Sequence, residues 1–372
     1  MLRAAFASAR GLYCALAVLL VLTWAPSEAR ADQAAAALYV RTDSDDTTVI
    51  SPRARGQKRL GEATAVDVTY AADIWTSASV DIRASASVRP VTEQRDELDL
   101  GVTTELEDLR LRGGYRFSIE HDYTSHGVSL GGSLDLAQNA ATLDLSLRAF
   151  GDTVGQSGNP HFARALTTLD AALTFTQVVD PLMFFQLTYE LAHNRGYQSS
   201  PYRFVGVGGT GFGCQGATPC LPERVPSLRT RHAFAVLVRR ALTDWLSLGL
   251  NYRYYLDDWS LGSHTALADV GVNLADSTLL SVRYRFYTQG AASFYLPQYA
   301  AIATDQYRTR DRELSELTYH RLGAELERTF PAGDGKLGLS LSVSGNWYNY
   351  AAFIGLDRVS ALEVSAGLRL EI

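Results

Sequence analysis

Apolar and polar residues alternate between residues 95 and 119 in a pattern typical of two adjacent β-strands. Side chains point to opposite faces of a strand in turn, so a period of two gives each strand one apolar and one polar face. A turn is predicted at Glu107 and Asp108, and arginines occupy the polar positions 110, 112 and 116 after it. On the first strand the apolar face holds Leu98, Leu100, Val102, Thr104 and Leu106, and the polar face holds Glu97, Asp99, Gly101, Thr103 and Glu105.

The same alternation continues along most of the chain and predicts sixteen strands. Short turns and longer loops follow one another in strict order, as in a transmembrane β-barrel, and an even strand number returns both termini to the periplasmic side. If the two weak strands within 32–61 form a plug instead, fourteen strands remain. The predicted strands are 36–42, 47–55, 66–74, 95–106, 109–119, 128–136, 143–148, 169–178, 183–191, 234–238, 246–254, 266–274, 280–286, 322–327, 337–347 and 362–372.

This pattern predicts an all-β fold, a single antiparallel transmembrane β-barrel with short periplasmic turns and long extracellular loops. The longest predicted loops are 194–227 and 290–313, and the short loop predicted at 56–62 lies on the periplasmic side. No run of eighteen apolar residues is present, so the sequence predicts no transmembrane helix. Barrels of sixteen to eighteen strands usually enclose an aqueous channel, which the two long loops could narrow by folding inward.

The first 31 residues predict a secretory signal peptide that is removed on export by the Sec route. Arg3 and Arg10 precede a short apolar core, and Ala29-Arg30-Ala31 is an Ala-x-Ala cleavage site. The domain organisation expected is therefore a signal peptide, 1–31, and a barrel, 32–372. The last residues, 365–372, are similar to the terminal signal read by the barrel assembly machinery, although Ile372 stands where an aromatic residue is usual.

Charge and cysteine usage narrow the classes of protein that fit. The net charge is −6 overall and +2 in segment 1–31, which leaves −8 for residues 32–372 and argues against a nucleic-acid binder. Cys214 and Cys220 remain after cleavage. An exported chain meets an oxidising compartment, so a disulfide within the long loop is expected rather than a metal site.

Six segments carry a resemblance to a known family: 76–87 (TSASVDIRASAS), 120–123 (EHDY), 196–205 (GYQSSPYRFV), 252–265 (YRYYLDDWSLGSHT), 282–295 (VRYRFYTQGAASFY) and 310–315 (RDRELS). They resemble an uncharacterised family of bacterial outer-membrane barrels, a domain of unknown function. The resemblance implies a barrel in the outer membrane of a Gram-negative bacterium. It implies no activity, substrate or cofactor for any residue.

The charged residues on the polar faces are the candidate lining of the lumen. Mixed charges there either line a water-filled pore and tune its selectivity, or form salt bridges that stiffen a plugged barrel. The lumen candidates are Arg110, Arg112, Arg116, Arg148, Arg253, Arg283, Arg285, Glu190, Glu325 and Glu327.

Two predicted outer loops hold candidates for a ligand-binding lip. Acid and imidazole groups near residue 120 have the chemistry of a cation site, but solvated polar surface is the more common role of such a loop. No histidine is placed by strand alternation beside a serine, so we predict no catalytic residue, no cofactor, no metal and no enzyme activity. The lip candidates are Glu120, Asp122, Asp257, Asp258 and His264.

The leading hypothesis is an outer-membrane, porin-like channel for small polar solutes whose outer surface contacts lipid. The alternative is a closed barrel whose extracellular loops bind a ligand or partner. An outer-membrane enzyme is the third hypothesis.

Overall fold

The computed structural model describes residues 32–77, 79, 91–208, 214, 217, 219–303 and 305–372. The predicted signal peptide, 1–31, lies outside the described residues, as does most of the family segment 76–87. No helix among the described residues is long and apolar enough to cross a membrane.

Within these residues, sixteen strands form one closed antiparallel barrel, and two short strands pair with each other in a loop. This confirms the predicted all-β barrel and the count of sixteen. The wall consists of β1 (Gln33–Asp43), β2 (Thr47–Leu60), β3 (Thr64–Ser77), β4 (Val91–Leu106), β5 (Leu109–Ile119), β6 (Tyr123–Leu136), β7 (Ala141–Val154), β8 (Arg164–Asp180), β9 (Met183–Gly196), β12 (Leu228–Ala241), β13 (Leu246–Asp257), β14 (Gly262–Ala275), β15 (Thr278–Gln289), β16 (Leu317–Ala332), β17 (Gly335–Tyr350) and β18 (Arg358–Glu371). The short loop strands are β10 (Phe204–Gly206) and β11 (Cys220–Pro222).

The barrel closes between its first and last strands. β1 pairs with β18 from Gln33 opposite Glu371 to Asp43 opposite Ala361, and its other edge pairs with β2. Segment 32–61 is therefore part of the wall. A closed wall leaves no unpaired strand edge, which a barrel in hydrocarbon requires.

The predicted turn at 56–62 is wrong over most of its length. β2 continues to Leu60, with Gly56 opposite Val68 and Leu60 opposite Thr64 of β3. Glycine is a poor strand former in isolation. Here the hydrogen bonds to β3 hold the backbone extended, so the turn shrinks to residues 61–63.

The strands are longer than the alternation alone indicates. β9 runs five residues past the predicted end at 191, and β12 begins six residues before the predicted start at 234. Both extensions lie at the end of the barrel that carries the long loops. Backbone pairing continues there after the apolar positions stop, since hydrogen bonds of a ladder do not require an apolar face.

The two faces of the wall differ as the alternation predicts. Large apolar side chains are exposed on one face, for example Leu130 at 68% and Leu250 at 53%. Buried apolar clusters lie instead at the long-loop end, where Trp259, Leu314, Tyr319 and Phe353 share one cluster. The exposed apolar face suits contact with lipid, and the clusters order the loops.

Candidate functional site

All ten lumen candidates lie on the polar face of their strands. Strand register places Arg116 opposite Asp99 and Arg283 opposite Asp269, while apolar residues face apolar residues in the rows between. The polar face is thus continuous from strand to strand around the wall, and its charged groups are close enough to pair.

Most of these arginines contact a carboxylate. Arg116 Nε lies 2.6 Å from Asp99 Oδ1, and Arg253 Nη2 lies 2.5 Å from Glu190 Oε2. Three further pairs are Arg110 with Glu105 at 3.2 Å, Arg148 with Asp170 at 3.8 Å, and Arg112 with Asp144. Because these arginines are between 37% and 51% exposed, water screens the pairs.

One group of charges links five strands, from β12 to β16. Arg239 Nη2 donates to Asp269 Oδ1 at 2.5 Å, and Arg283 Nε donates to Asp269 Oδ2 at 2.9 Å. Arg283 Nη1 also donates to Glu325 at 2.8 Å. We call Arg239, Asp269, Arg283 and Glu325 the charge ladder; its acids and bases alternate, which fixes the register of the wall on this side.

The charge ladder depends on a glycine. Arg239 belongs to β12 and Asp269 to β14, so the arginine must cross β13, where Gly249 occupies the intervening position. A Cβ at Gly249 would lie 3.3 Å from Arg239 Nε. Arg239 and Asp269 were not among the lumen candidates. Each is the immediate chain neighbour of an apolar-face residue, Val238 or Val270, so strand alternation places both on the polar face.

Arg285 differs from the other arginines of β13–β16. It lies directly opposite Arg321 on the neighbouring strand, and Arg321 pairs with Glu363 at 3.0 Å. Arg285 has no ion pair among the described residues, and its buried Nε has no acceptor there. Its guanidinium lies 5.7 Å from the Tyr319 ring centre. Glu327 likewise forms no ion pair in the described part of the chain.

The two long loops, residues 197–227 and 290–316, pack together into a structure that we call the cap. Val205 is fully buried and clusters with Val207 and Tyr299. The carboxylate of Glu223 is 2% exposed; it lies 3.1 Å from Arg203 and accepts from the Thr309 hydroxyl at 2.5 Å. Cys214 and Cys220 form the expected disulfide within the cap.

The cap is bonded to five loops at the mouth of the barrel, those after β1, β5, β7, β13 and β17. Arg312 pairs at 2.7 Å with Asp45, after β1, and the Tyr202 hydroxyl donates to Asp122, after β5. Gln156, after β7, donates to the Pro201 carbonyl at 2.9 Å. Ser293 N donates to the Trp259 carbonyl, after β13, and the Tyr295 hydroxyl donates to the Ala352 carbonyl, after β17, each at 2.9 Å. The cap therefore extends over the mouth from several sides.

The pKa values of two groups at the mouth are raised, those of Tyr202 in the cap and of Glu120 in the loop after β5. Burial, together with the hydrogen bond to Asp122, raises the pKa of Tyr202 to about 12. Burial also raises the pKa of Glu120, although Arg95 acts in the opposite direction. Tyr202 therefore stays neutral and donates its hydrogen bond throughout the physiological pH range.

The predicted lip residues do not form one group. Asp257 is buried and accepts from Arg229 and from the backbone amides of Trp259 and Leu261. Asp258 accepts from the Thr230 amide at 2.9 Å. His264 lies in β14 on the apolar face, hydrogen-bonded to Tyr252. Asp257 therefore holds the loop in place, and His264 belongs to a different surface.

Glu120 and Asp122 do come together, with Glu93 as a third carboxylate. The oxygens of the three groups lie within 4.8 Å of one another. Exposed acidic groups often cluster without an ion, and Asp122 already accepts from Tyr202. The cluster thus serves as part of the rim to which the cap is bonded.

Comparison with family models gives the assignment of the chain. The model described as a protein of unknown function (DUF3570) matches residues 81–166 and 162–349. The chain belongs to this family. The resemblance seen in the sequence segments is confirmed, and the match covers most of the barrel wall. No curated protein matches the sequence.

Solved structures share the fold at very low sequence identity. A structure titled bacterial polysaccharide outer membrane secretin is 9% identical, with a TM-score of 0.51, over 93% of this chain and all of that one. The siderophore receptor PirA of Pseudomonas aeruginosa is 9% identical, with a TM-score of 0.47 and 92% of this chain covered. This chain spans 62% of the receptor's length. OccK1 (OpdK) of Pseudomonas aeruginosa is 8% identical, with a TM-score of 0.45, over 92% of this chain and 98% of that one.

Proposed function

We propose that this DUF3570 protein is an outer-membrane channel for small polar solutes. The observation that carries the proposal is a closed wall of sixteen strands with one exposed apolar face and one charged face. A wall of this size usually leaves an aqueous lumen. In this arrangement both termini are periplasmic and the cap lies over the extracellular mouth.

The distribution of charge supports a selective pore. On the polar face of β3–β9 carboxylates outnumber arginines, whereas on β12–β16 arginines outnumber carboxylates. Opposite signs on two sides of a lumen produce a field across it, and such a field orients a polar solute during passage. The arginines of the basic side are Arg229, Arg231, Arg239, Arg253, Arg283, Arg285 and Arg321.

Conductance tests the channel directly. Residues 32–372 are refolded, checked for β-structure by circular dichroism, and added to a planar bilayer. We expect discrete conductance steps. Folded protein that inserts and gives no steps would contradict the channel and favour a closed barrel.

Substitution of lumen arginines tests the assigned faces. The variant R253A/R283A removes two positive charges from the basic side, so the reversal potential in a salt gradient should shift toward cation selectivity. R240A is the matched control, because Arg240 follows Arg239 in β12 but lies on the apolar face. An unchanged reversal potential in R253A/R283A, beside normal conductance, would refute the lumen role of these two residues.

A second candidate function is ligand or partner binding by the cap of a closed barrel. It is favoured by the contacts that tie the cap to five rim loops, since an ordered surface is pre-organised for binding. An enzyme receives no such support: the histidines of the strands bond tyrosine or threonine hydroxyls on the apolar face. Folded barrels that insert into the bilayer without conducting would favour this second function.

A further inference from the structure

The apolar face carries a repeated contact between tyrosine and histidine that the channel does not use. In each case a tyrosine hydroxyl is hydrogen-bonded to Nδ1 of a histidine on the next strand of the wall. The pairs are Tyr115 with His126 at 2.7 Å, Tyr189 with His232 at 2.9 Å, Tyr252 with His264 at 2.7 Å, and Tyr284 with His320 at 2.8 Å. We call these four the Tyr–His pairs.

The Tyr–His pairs have the same geometry and lie at the same level. Each histidine stands two to four residues inside the long-loop end of its strand. The residue directly opposite it lies two positions beyond the bonded tyrosine: Phe117 faces His126, and Phe286 faces His320. The imidazole thus touches two side chains of one strand, with ring centres 5.1 Å apart for Phe117 and 5.2 Å for Phe286.

A fifth contact of this geometry has an acid in place of the histidine. The Tyr70 hydroxyl donates to Asp96 at 2.6 Å, and Asp96 lies opposite Ala72, again two positions beyond the tyrosine. This side of the barrel therefore presents a carboxylate where the others present an imidazole. Satisfying a tyrosine hydroxyl does not by itself require histidine.

In the described part of the chain, no charged residue lies directly opposite any of the four imidazoles. Their directly opposed residues on both neighbouring strands are Phe117 and Gly151, Leu191 and Leu256, Tyr254 and Thr288, and Phe286 and Trp347. The titratable groups beside the imidazoles on these strands are tyrosines, together with His193 and Asp258 next to His232. None of the directly opposed positions supplies a carboxylate to a protonated imidazole, so an anion from outside the chain can take that place.

The contact with tyrosine occupies Nδ1, so Nε2 is the ring nitrogen that remains available. A hydroxyl that donates to Nδ1 leaves the hydrogen on Nε2, which has no partner among the described residues. On gaining a second proton, the ring can donate from Nδ1 to the tyrosine oxygen and still donate from Nε2. In either of these states one N–H is available near the long-loop end of the strand.

We propose that the Tyr–His pairs bind the phosphate groups of anionic lipid headgroups at the long-loop end of the barrel. Phosphate accepts the Nε2 hydrogen bond and supplies a negative charge beside the imidazole. Binding strengthens as the imidazoles are protonated, so the lipid contact is tighter in mild acid. The inference rests on the membrane location in the proposed function and is independent of whether the lumen conducts.

A tryptophan beside one of the pairs provides the assay. Trp347 lies directly opposite His320 on the apolar face, and Trp259 is buried in the cap. Trp245 is exposed at the opposite end of the barrel. The background substitution W245F removes its fluorescence from the measurement. Tryptophan quenching by brominated phosphatidylglycerol, relative to brominated phosphatidylcholine, then reports which lipid occupies the surface near His320 in mixed vesicles of the two.

We expect the preference for phosphatidylglycerol to rise roughly fivefold between pH 8 and pH 5.5, the effect of one cationic side chain at an anionic membrane surface. The variant H126Q/H232Q/H264Q/H320Q keeps an acceptor for each tyrosine but cannot become charged, so its preference should not change with pH. H121Q/H161Q, altered in loops, should behave as the parent protein. If the fourfold variant does not fold, H320Q alone is used in its place, because His320 lies opposite Trp347, whose fluorescence is measured.

Two results would overturn the inference. A preference that is the same at both pH values in the parent protein shows that the imidazoles do not recruit the anionic headgroup. A pH-dependent preference that survives in the glutamine variants assigns the effect to other groups. Quenching by neither brominated lipid would instead refute the membrane location, which separates that failure from failure of the phosphate contact.

Discussion

At the scale of single residues, the charged face of the wall is held by carboxylates that serve two arginines at once. Asp269 is the clearest case, since each of its oxygens accepts from a different strand. Its side chain is 7% exposed, whereas Arg239 and Arg283 are 44% and 48% exposed. The acid is therefore the buried member, and the arginines remain in contact with water.

Replacing Asp269 should affect both stability and selectivity. In D269N the arginines lose their shared anion, and we expect a loss of about 1–2 kcal/mol, limited because both guanidinium groups are solvated. The pore should also become more anion-selective. Thermal unfolding followed by circular dichroism, and reversal potentials, measure the two effects. D135N is the control, because within the part of the chain that the structure describes the Asp135 side chain bonds Thr142 and no arginine; equal behaviour of the two variants would contradict the bridging role.

The sequence predicts which face such a residue occupies but not its partner. Parity along a strand is a local property, so Arg253 and Glu190 could be assigned to the polar face from alternation alone. Glu190 lies in β9 and Arg253 in β13, with β12 between them. Their contact therefore depends on the register of three strands, and on Ala233 and Ala235 of β12, which are small enough for the two side chains to meet across them. Register is a property of the assembled sheet.

At the scale of elements, the strands were predictable and the cap was not. Alternation identified all sixteen wall strands because each repeats the same rule. The cap follows no period: Arg312 and Asp45 are separated by 267 positions, and Tyr202 and Asp122 by 80. In the sequence, the length of the two loops is the one feature that indicates a structure over the mouth. Cap packing depends on buried groups such as Glu223, which nothing in the local sequence marks as buried.

Releasing the cap should enlarge the pore without weakening the wall. R312A/Y202F removes the ion pair with the loop after β1 and the hydrogen bonds of the Tyr202 hydroxyl to the loops after β5 and β7. We expect a larger single-channel conductance and passage of larger neutral solutes, with the unfolding temperature almost unchanged, because neither residue lies in a wall strand. Liposome swelling measures the size limit. R164A, at the start of β8, is the control; conductance equal to the parent in R312A/Y202F would show that these contacts do not restrict the mouth.

At the scale of the whole molecule, closure between β1 and β18 makes the wall continuous. Each of the two strands is paired on both edges. Removing one terminal strand would expose two rows of backbone groups, and every unpaired group in hydrocarbon costs several kcal/mol. The cap bonds the wall strands through single backbone contacts at their ends, such as Tyr197 N to the Ala165 carbonyl at 2.9 Å, and not through a continuous ladder. The barrel therefore depends far more on its last strand than on an equal length of loop.

Two shortened variants, one cut in β18 and one in the cap, test this difference. Deletion of 362–372 removes most of β18, and we expect no folded barrel in detergent or vesicles, seen as loss of the band that shifts on heating in gel electrophoresis. Replacement of 297–307 by two glycines shortens the cap by a similar amount and should leave a heat-shifting barrel with higher conductance. A folded barrel after the first deletion would mean that β17 and β1 can pair directly, and that the wall is closed by fifteen strands as readily as by sixteen.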